Sequence, residues 1–157
     1  MHASSLNMMR ELRACVPAGS RVLDVGGADV NGSYRQLFPD CSYTSLDFHG
    51  ADINVAGYDW PIADESFDAV ISGQALEHDG CFWLTVKNMA RVLRPGGHVV
   101  LIVPSAGAVH RYPVDCYRFL PDSLKALASW SGLELVGHKW DLESNWRDLG
   151  GVFRKPA

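Results

Sequence analysis

What this chain lacks narrows the field first. It carries 14 lysines and arginines against 18 aspartates and glutamates, a formal charge of −4. The basic face that a nucleic-acid backbone requires is therefore missing, and no nucleic-acid partner is expected. Long apolar runs are missing too. Stretches such as Val99 to Val103 fall far short of the roughly 20 residues that span a bilayer, so no membrane partner is expected. The opening residues, Met1 to Ser5, hold no basic segment followed by an apolar one, and no secretory signal is expected. The four cysteines, at 15, 41, 81 and 116, are too widely spaced for the close pairs of zinc and redox motifs. They read as reduced thiols of a cytoplasmic protein with no metal centre; small, buried apolar roles are expected for all but Cys116, which sits in a polar stretch. There is no internal repeat and no low-complexity tract. What remains is 157 residues, 47% hydrophobic and 20% charged, the composition of one globular domain covering residues 1–157.

The chain changes character most sharply at Val22-Leu23-Asp24-Val25-Gly26-Gly27-Ala28-Asp29. The apolar run Val22 to Val25 reads as a buried strand that stops at paired glycines. Glycine has no Cβ, so the backbone at Gly26 and Gly27 can turn tightly and approach a ligand closely. Asn31 or Ser33 can cap a short helix running to about Phe38, whose free amides would face the same crevice. A glycine loop alone is a weak signal, because a tight turn without a ligand uses the same residues. The partner downstream strengthens it. Ser42 to Leu46 reads as a second strand ending at Asp47, twenty-one residues beyond Gly26. That is close to the ~20 expected for an acid that accepts from a ribose hydroxyl. A carboxylate at a strand end suits a vicinal diol, because each hydroxyl can donate to one oxygen.

The rest alternates strand and helix. Leu6 to Cys15 has helical apolar spacing and ends at Pro17-Ala18-Gly19. Only about five residues separate Phe48 from the apolar Ile53-Asn54-Val55, too few for a helical crossover, so residues 51–57 read as a loosely strand-like edge segment. A strand over Phe67 to Ser72 ends at Gly73-Gln74, and a helix over Gly80 to Arg94, with Leu84, Met89, Val92 and Leu93 mostly on one side, stops at Pro95-Gly96-Gly97. Val99 to Val103 is apolar throughout, as a central parallel strand covered on both faces should be. A helix begins at Pro121, with Leu124, Leu127 and Trp130 inward, and ends at Gly132. Leu133 to Lys139 and Gly151 to Arg154 complete the strands, the last pairing with the one before it. This alternation predicts a doubly wound α/β sheet.

Four segments, in order, carry a resemblance: Val22 to Ala28; Leu46-Asp47; Pro61 to Ser72 with Leu76-Glu77-His78; and Ala90-Arg91-Val92-Leu93-Arg94-Pro95-Gly96-Gly97-His98. Together they cover most of residues 21–104, and the chain resembles a class I S-adenosylmethionine-dependent methyltransferase of the type 11 group. The resemblance implies a single-domain Rossmann-like sheet of seven strands, mostly parallel with the last antiparallel, here abbreviated between strands two and three. It implies S-adenosylmethionine as cofactor, with Asp24, Gly26, Gly27 and Ala28 near its methionine and ribose. Asp47 would hold the ribose diol, Phe48 would cover the adenine, and Gly73 and Gln74 would line the methionine side. The chain departs from the pattern in three ways. Gly-Gly-Ala-Asp stands where Gly-x-Gly is usual; Ala56 stands where an acid normally holds the adenine amino group, which leaves that task to backbone or Asp59; and one helix is missing.

Methyl transfer from a sulfonium asks for proximity, in-line orientation and, for a hydroxyl acceptor, a base. The polar, aromatic stretch His110 to Phe119 lies beyond the fifth strand, where an acceptor site is expected. Histidine's reference pKa near 6.5 suits a base at neutral pH, which makes His110 a candidate, and Asp115 can orient it. Alternatively, Asp115 pairs with Arg118 and pins the loop. His78 is a third catalytic candidate or a backbone-bonded residue at a helix start. Trp140 to Trp146 is either a lid or a surface loop. These readings predict methyl transfer to a small molecule, a sugar or secondary-metabolite hydroxyl. The rival from another class is a degenerate, non-catalytic cofactor-binding domain serving as an interaction subunit. A homodimer or a partner subunit is left open.

Overall fold

The computed structural model describes residues 2–30 and 32–157; Asn31, one of the two candidate caps, lies outside them. Helix α1 (Ala3–Leu12) is followed by a 3-10 turn, then by β1 (Arg21–Val25), β2 (Ser42–Asp47), β3 (Ile53–Asn54) and β4 (Phe67–Gly73). Helix α2 (Phe82–Val92), β5 (Leu93–Pro104), α3 (Pro121–Ser131), β6 (Glu134–Trp140) and β7 (Asp148–Arg154) complete the chain. The strands form one sheet in the order β3-β2-β1-β4-β5-β7-β6. The pairs β1–β2, β1–β4, β2–β3 and β4–β5 are parallel. β7 runs antiparallel to both β5 and β6, so the expected last pairing is present together with a second one to the centre of the sheet.

The central strands are apolar on both sides because both sides are covered. In β5, Val99, Leu101 and Val103 join the core beneath α2 and α3 with Met89, Leu124 and Leu127. The alternate residues Val100 and Ile102 face the other way, against Met8 and Met9 of α1 and against Phe38. The connection between β2 and β3 holds no helix, and β3 is a two-residue edge strand, as the short spacing predicts.

Several local expectations are corrected. The helix after the glycine loop is a four-residue 3-10 turn, Tyr34–Leu37, with the Ser33 hydroxyl accepting from the Arg35 amide. It has no α-helical dipole to offer a ligand. Pro95-Gly96-Gly97 does not terminate a helix; it lies within β5, where the pairing with β4 slips between Phe67 and Ala69. Leu84 and Trp130 are exposed rather than inward, and Trp130 Nε1 donates to the Trp83 carbonyl at 3.1 Å. None of the cysteines is fully buried; Cys15, Cys41 and Cys81 are half-buried free thiols and Cys116 is exposed. Among the described residues, no helix is long and apolar enough to cross a membrane.

Candidate active site

The strand order reverses between β1 and β4, and a cavity of about 450 Å³ opens at the carboxyl ends of these strands, where open α/β sheets bind ligands. Asp24, Gly26, Gly27, Ala28, Asp47 and Phe48 all line it. So do Gly73, Gln74, His78 and His110 from the other side. Asp115 stands behind this wall.

Gly26 has φ +79°, and a Cβ there would lie 2.4 Å from Ala75 Cβ, so the turn requires glycine. The first three amides of this loop are already engaged within the protein. Gly26 N and Gly27 N both donate to the Leu46 carbonyl, at 2.8 and 3.2 Å. Ala28 N donates to Asp47 Oδ2 at 3.2 Å, and Phe48 N to Asp47 Oδ1 at 2.6 Å. The loop thus contributes shape, while the two amides orient the Asp47 carboxylate and leave each oxygen with a further lone pair. Phe48 is 58% exposed beside it, an apolar face without a partner.

Asp24 is buried, and Tyr43 Oη donates to its Oδ2. Burial pushes its carboxyl up to about 7, and the neighbouring Asp47 charge adds to this against the pull of the tyrosine hydrogen bond. The folded state therefore holds a proton that the unfolded chain has already lost. Stability falls as pH rises from about 4 to about 7 and levels off above that. Asp24→Asn keeps an acceptor for Tyr43 and removes this penalty. The variant is expected to gain up to about 4 kcal/mol over wild type at pH 8, at about 1.4 kcal/mol per unit, and far less at pH 4. Urea unfolding at the two pH values, without ligand, measures the difference.

At the end of β4, a Cβ on Gly73 would lie 2.1 Å from Tyr34 Oη, so this wall too is bare backbone. Gln74 has φ +57°, and its Nε2 donates to Asp148 Oδ1 at 3.0 Å. Asp148 is buried and also accepts from Ser4 Oγ at 2.7 Å, which ties α1 to this corner. Gln74 Oε1, in contrast, is buried without a donor among the described residues. An acceptor left over in a cavity that holds Asp24 as well fits a ligand bringing an ammonium group. On the side toward β3, Val55, Tyr58 and Trp60 form the wall, whereas Asp59, the proposed substitute acid, does not reach it. Asp79 does reach it, but its carboxylate already accepts from Tyr58 Oη, Thr85 Oγ1 and Cys81 N.

At the far end, Asp115 touches both Arg118 and His110. Arg118 grips it with Nη1 at 2.6 Å and Nη2 at 2.8 Å, while His110 N donates to Oδ2 at 2.7 Å and His110 Nδ1 lies 3.3 Å from that oxygen. The guanidinium holds the Asp115 carboxyl well below the usual range. His78 Nδ1 lies 2.6 Å from the Val114 carbonyl, and its ring meets His110 edge-on at 4.8 Å. Trp146, from the loop between the last two strands, backs this group against His110 and His2, while Trp140 stays out on the surface.

Sequence reasoning missed Tyr43, Gln74's partner Asp148, and His2. Tyr43 opposes Val22 in the β1–β2 register and so shares a strand face with Asp24, a signal that exists only once the register is known.

A family model described as "Methyltransferase domain" matches residues 11–101. Demethylmenaquinone methyltransferase of Corynebacterium glutamicum is 34% identical over 128 residues, 71% of this chain and 55% of that protein. A fatty-acid O-methyltransferase of Mycolicibacterium smegmatis is 35% identical over 97 residues, 51% of this chain and 35% of that protein. This chain thus spans only about half or less of these two relatives. Among solved structures, the Burkholderia thailandensis 1,6-didemethyltoxoflavin-N1-methyltransferase, with bound substrate and S-adenosylhomocysteine, shares the fold at TM-score 0.76 and 17% identity, over 98% of this chain and 79% of that one. With the ordered motifs, the sheet and the match across more than half its length, this chain belongs to the methyltransferase domain family, the class I methyltransferases that its sequence resembles.

Proposed function

We propose that this chain binds S-adenosylmethionine in the crevice and catalyses methyl transfer to an oxygen of a small molecule, a secondary-metabolite hydroxyl in preference to a sugar. One observation carries this reading: Gly26, Asp47 and the unpaired Gln74 Oε1 face a single cavity, so bare backbone, a diol acceptor and an ammonium acceptor lie within one ligand's reach. Asp47, oriented by two amides, takes the ribose hydroxyls; Asp24 and Gln74 take the amino-acid end; Phe48 covers the base. The bound cofactor supplies a methyl group already activated on a sulfonium. The protein's part is then to position and to exclude water. His78 and His110 stand at the acceptor end, where an imidazole can take the acceptor's proton, with Asp115 as the positioning residue for His110. Tyr112, whose ring lies near His78, and Pro113 give this end apolar walls, which favours an acceptor with an apolar body over a sugar. The names of the quinone and fatty-acid relatives point the same way. The four free thiols fit the reducing cytoplasm.

Calorimetry with S-adenosylhomocysteine tests the assignment. Hydrogen bonds to a charged group contribute roughly 1.5–3 kcal/mol, so Asp47→Ala is expected to bind about ten- to a hundredfold more weakly. Equal affinity in variant and wild type would remove the ribose role, and absence of binding at millimolar ligand would remove the reading as a whole.

A further inference from the structure

We propose that Glu77, His78 and His110 form a binding site for a divalent first-row transition-metal ion at the acceptor end of the crevice. The sequence shows no metal-ligand spacing, because the third residue arrives from a loop thirty-two positions away. The fold nevertheless brings one ligand atom from each side chain within 4.8 Å of the other two. Bonds of about 2.1 Å hold ligand atoms up to about 4 Å apart around one ion, so side-chain shifts below about 1 Å close the set.

Three independent features favour an ion over mere proximity. The Glu77 side chain is 0% exposed and neither carboxylate oxygen has a hydrogen-bond partner among the described residues, while Oε1 lies 3.6 Å from His78 Nε2. A buried carboxylate without donors is costly unless something positive or protic meets it. Arg118, the cation nearby, turns both terminal nitrogens to Asp115, and its buried Nε makes no hydrogen bond to Glu77. Second, each imidazole has its Nδ1 beside an oxygen acceptor: His78 at the Val114 carbonyl, 2.6 Å away, and His110 at the Ala108 carbonyl, 3.4 Å away, with Asp115 Oδ2 at 3.3 Å. A proton held on Nδ1 leaves the Nε2 lone pair free, and this outer-shell pattern of carbonyl and carboxylate is the one that orients metal-ligating histidines. Third, His78 and His110 line the cavity, so the positions not taken by protein open toward the acceptor. Two imidazoles and one carboxylate with open positions suit Fe²⁺, Mn²⁺, Co²⁺ or Zn²⁺ rather than Mg²⁺ or Ca²⁺.

The consequence for the reaction rests on the methyl-transfer reading; the site itself does not. An acceptor hydroxyl bound at an open position is acidified by the ion, releases its proton to water and presents an alkoxide or phenolate oxygen for methylation, with the histidines as ligands in place of bases.

The test uses the 157-residue chain purified without a histidine tag, stripped with a chelator and titrated with Co²⁺ while visible absorbance is followed. Wild type is expected to develop ligand-field bands saturating at one ion per chain, and Zn²⁺ to displace them. His110→Ala and Glu77→Gln are each expected to weaken Co²⁺ binding by about tenfold or more; the first changes a loop side chain and the second preserves shape, so circular dichroism should show both folded. Co²⁺ binding no tighter in wild type than in His110→Ala overturns the site. S-adenosylhomocysteine calorimetry on the same samples keeps the two ideas apart: intact ligand binding without Co²⁺ binding rejects the metal alone, and the reverse rejects the cofactor reading alone.

Discussion

Replacing Gly26 by valine is expected to abolish detectable binding of S-adenosylhomocysteine and to lower stability by about 2–5 kcal/mol. Two effects add. The residue sits at φ +79°, a region that a β-branched side chain adopts only under strain, and its first carbon would land 2.4 Å from Ala75 Cβ. Ala75 follows Gln74, so relief of the collision moves the end of β4 as well as the loop after β1. The cavity loses two walls at once. Differential scanning fluorimetry and calorimetry measure both effects, and a variant that binds like wild type would show that the loop does not shape the ligand site.

Arg118→Met is expected to have the second-largest effect. The Asp115 side chain is 1% exposed and depends on the two Arg118 bonds for most of its compensation; removing one partner of such a pair costs about 3–5 kcal/mol where the surroundings cannot relax. Here part of that cost is relieved by release of the loop, because Arg118 also donates to the Ala108 carbonyl at 3.0 Å and faces the Trp146 ring. The expected result is faster hydrogen exchange and proteolysis confined to residues 106–120, a large fall in turnover, and cofactor affinity changed by less than about threefold. Equal loss of cofactor affinity and turnover would mean that this loop supports the whole crevice rather than its acceptor end.

The separation of these two effects follows from how the chain is laid out. The half of the crevice proposed for the cofactor comes from strand ends, and those were legible: the run Val22 to Val25, the glycines and Asp47 announce themselves because a strand's apolar pattern and its terminating residues are local properties. The half proposed for the acceptor was legible only as a cluster of suitable side chains. His110 to Phe119 has no regular secondary structure, so no period indicates which groups face inward, and the Asp115 contacts to both Arg118 and His110 could not be chosen between in advance. The misplaced termini have equally local causes. Pro95-Gly96-Gly97 carries the signs of a helix stop, yet pairing with β4 draws the segment into β5. Trp130 fits the apolar stripe of α3, yet its indole reaches across to α2 and remains exposed.

By itself the sequence determined the order of the elements, the position of the glycine turn, the acid at the end of β2 and the family, all of which depend on residues within a few positions of one another. The tertiary structure alone decided that Tyr43 protects Asp24, that Gln74 is gripped by Asp148 while its other amide atom stays unpaired, and that Glu77 meets His110. These contacts join residues 19, 74 and 33 positions apart. They are set by strand register and loop packing, and side chains so distant in the chain carry no mark of each other until the sheet has brought them together.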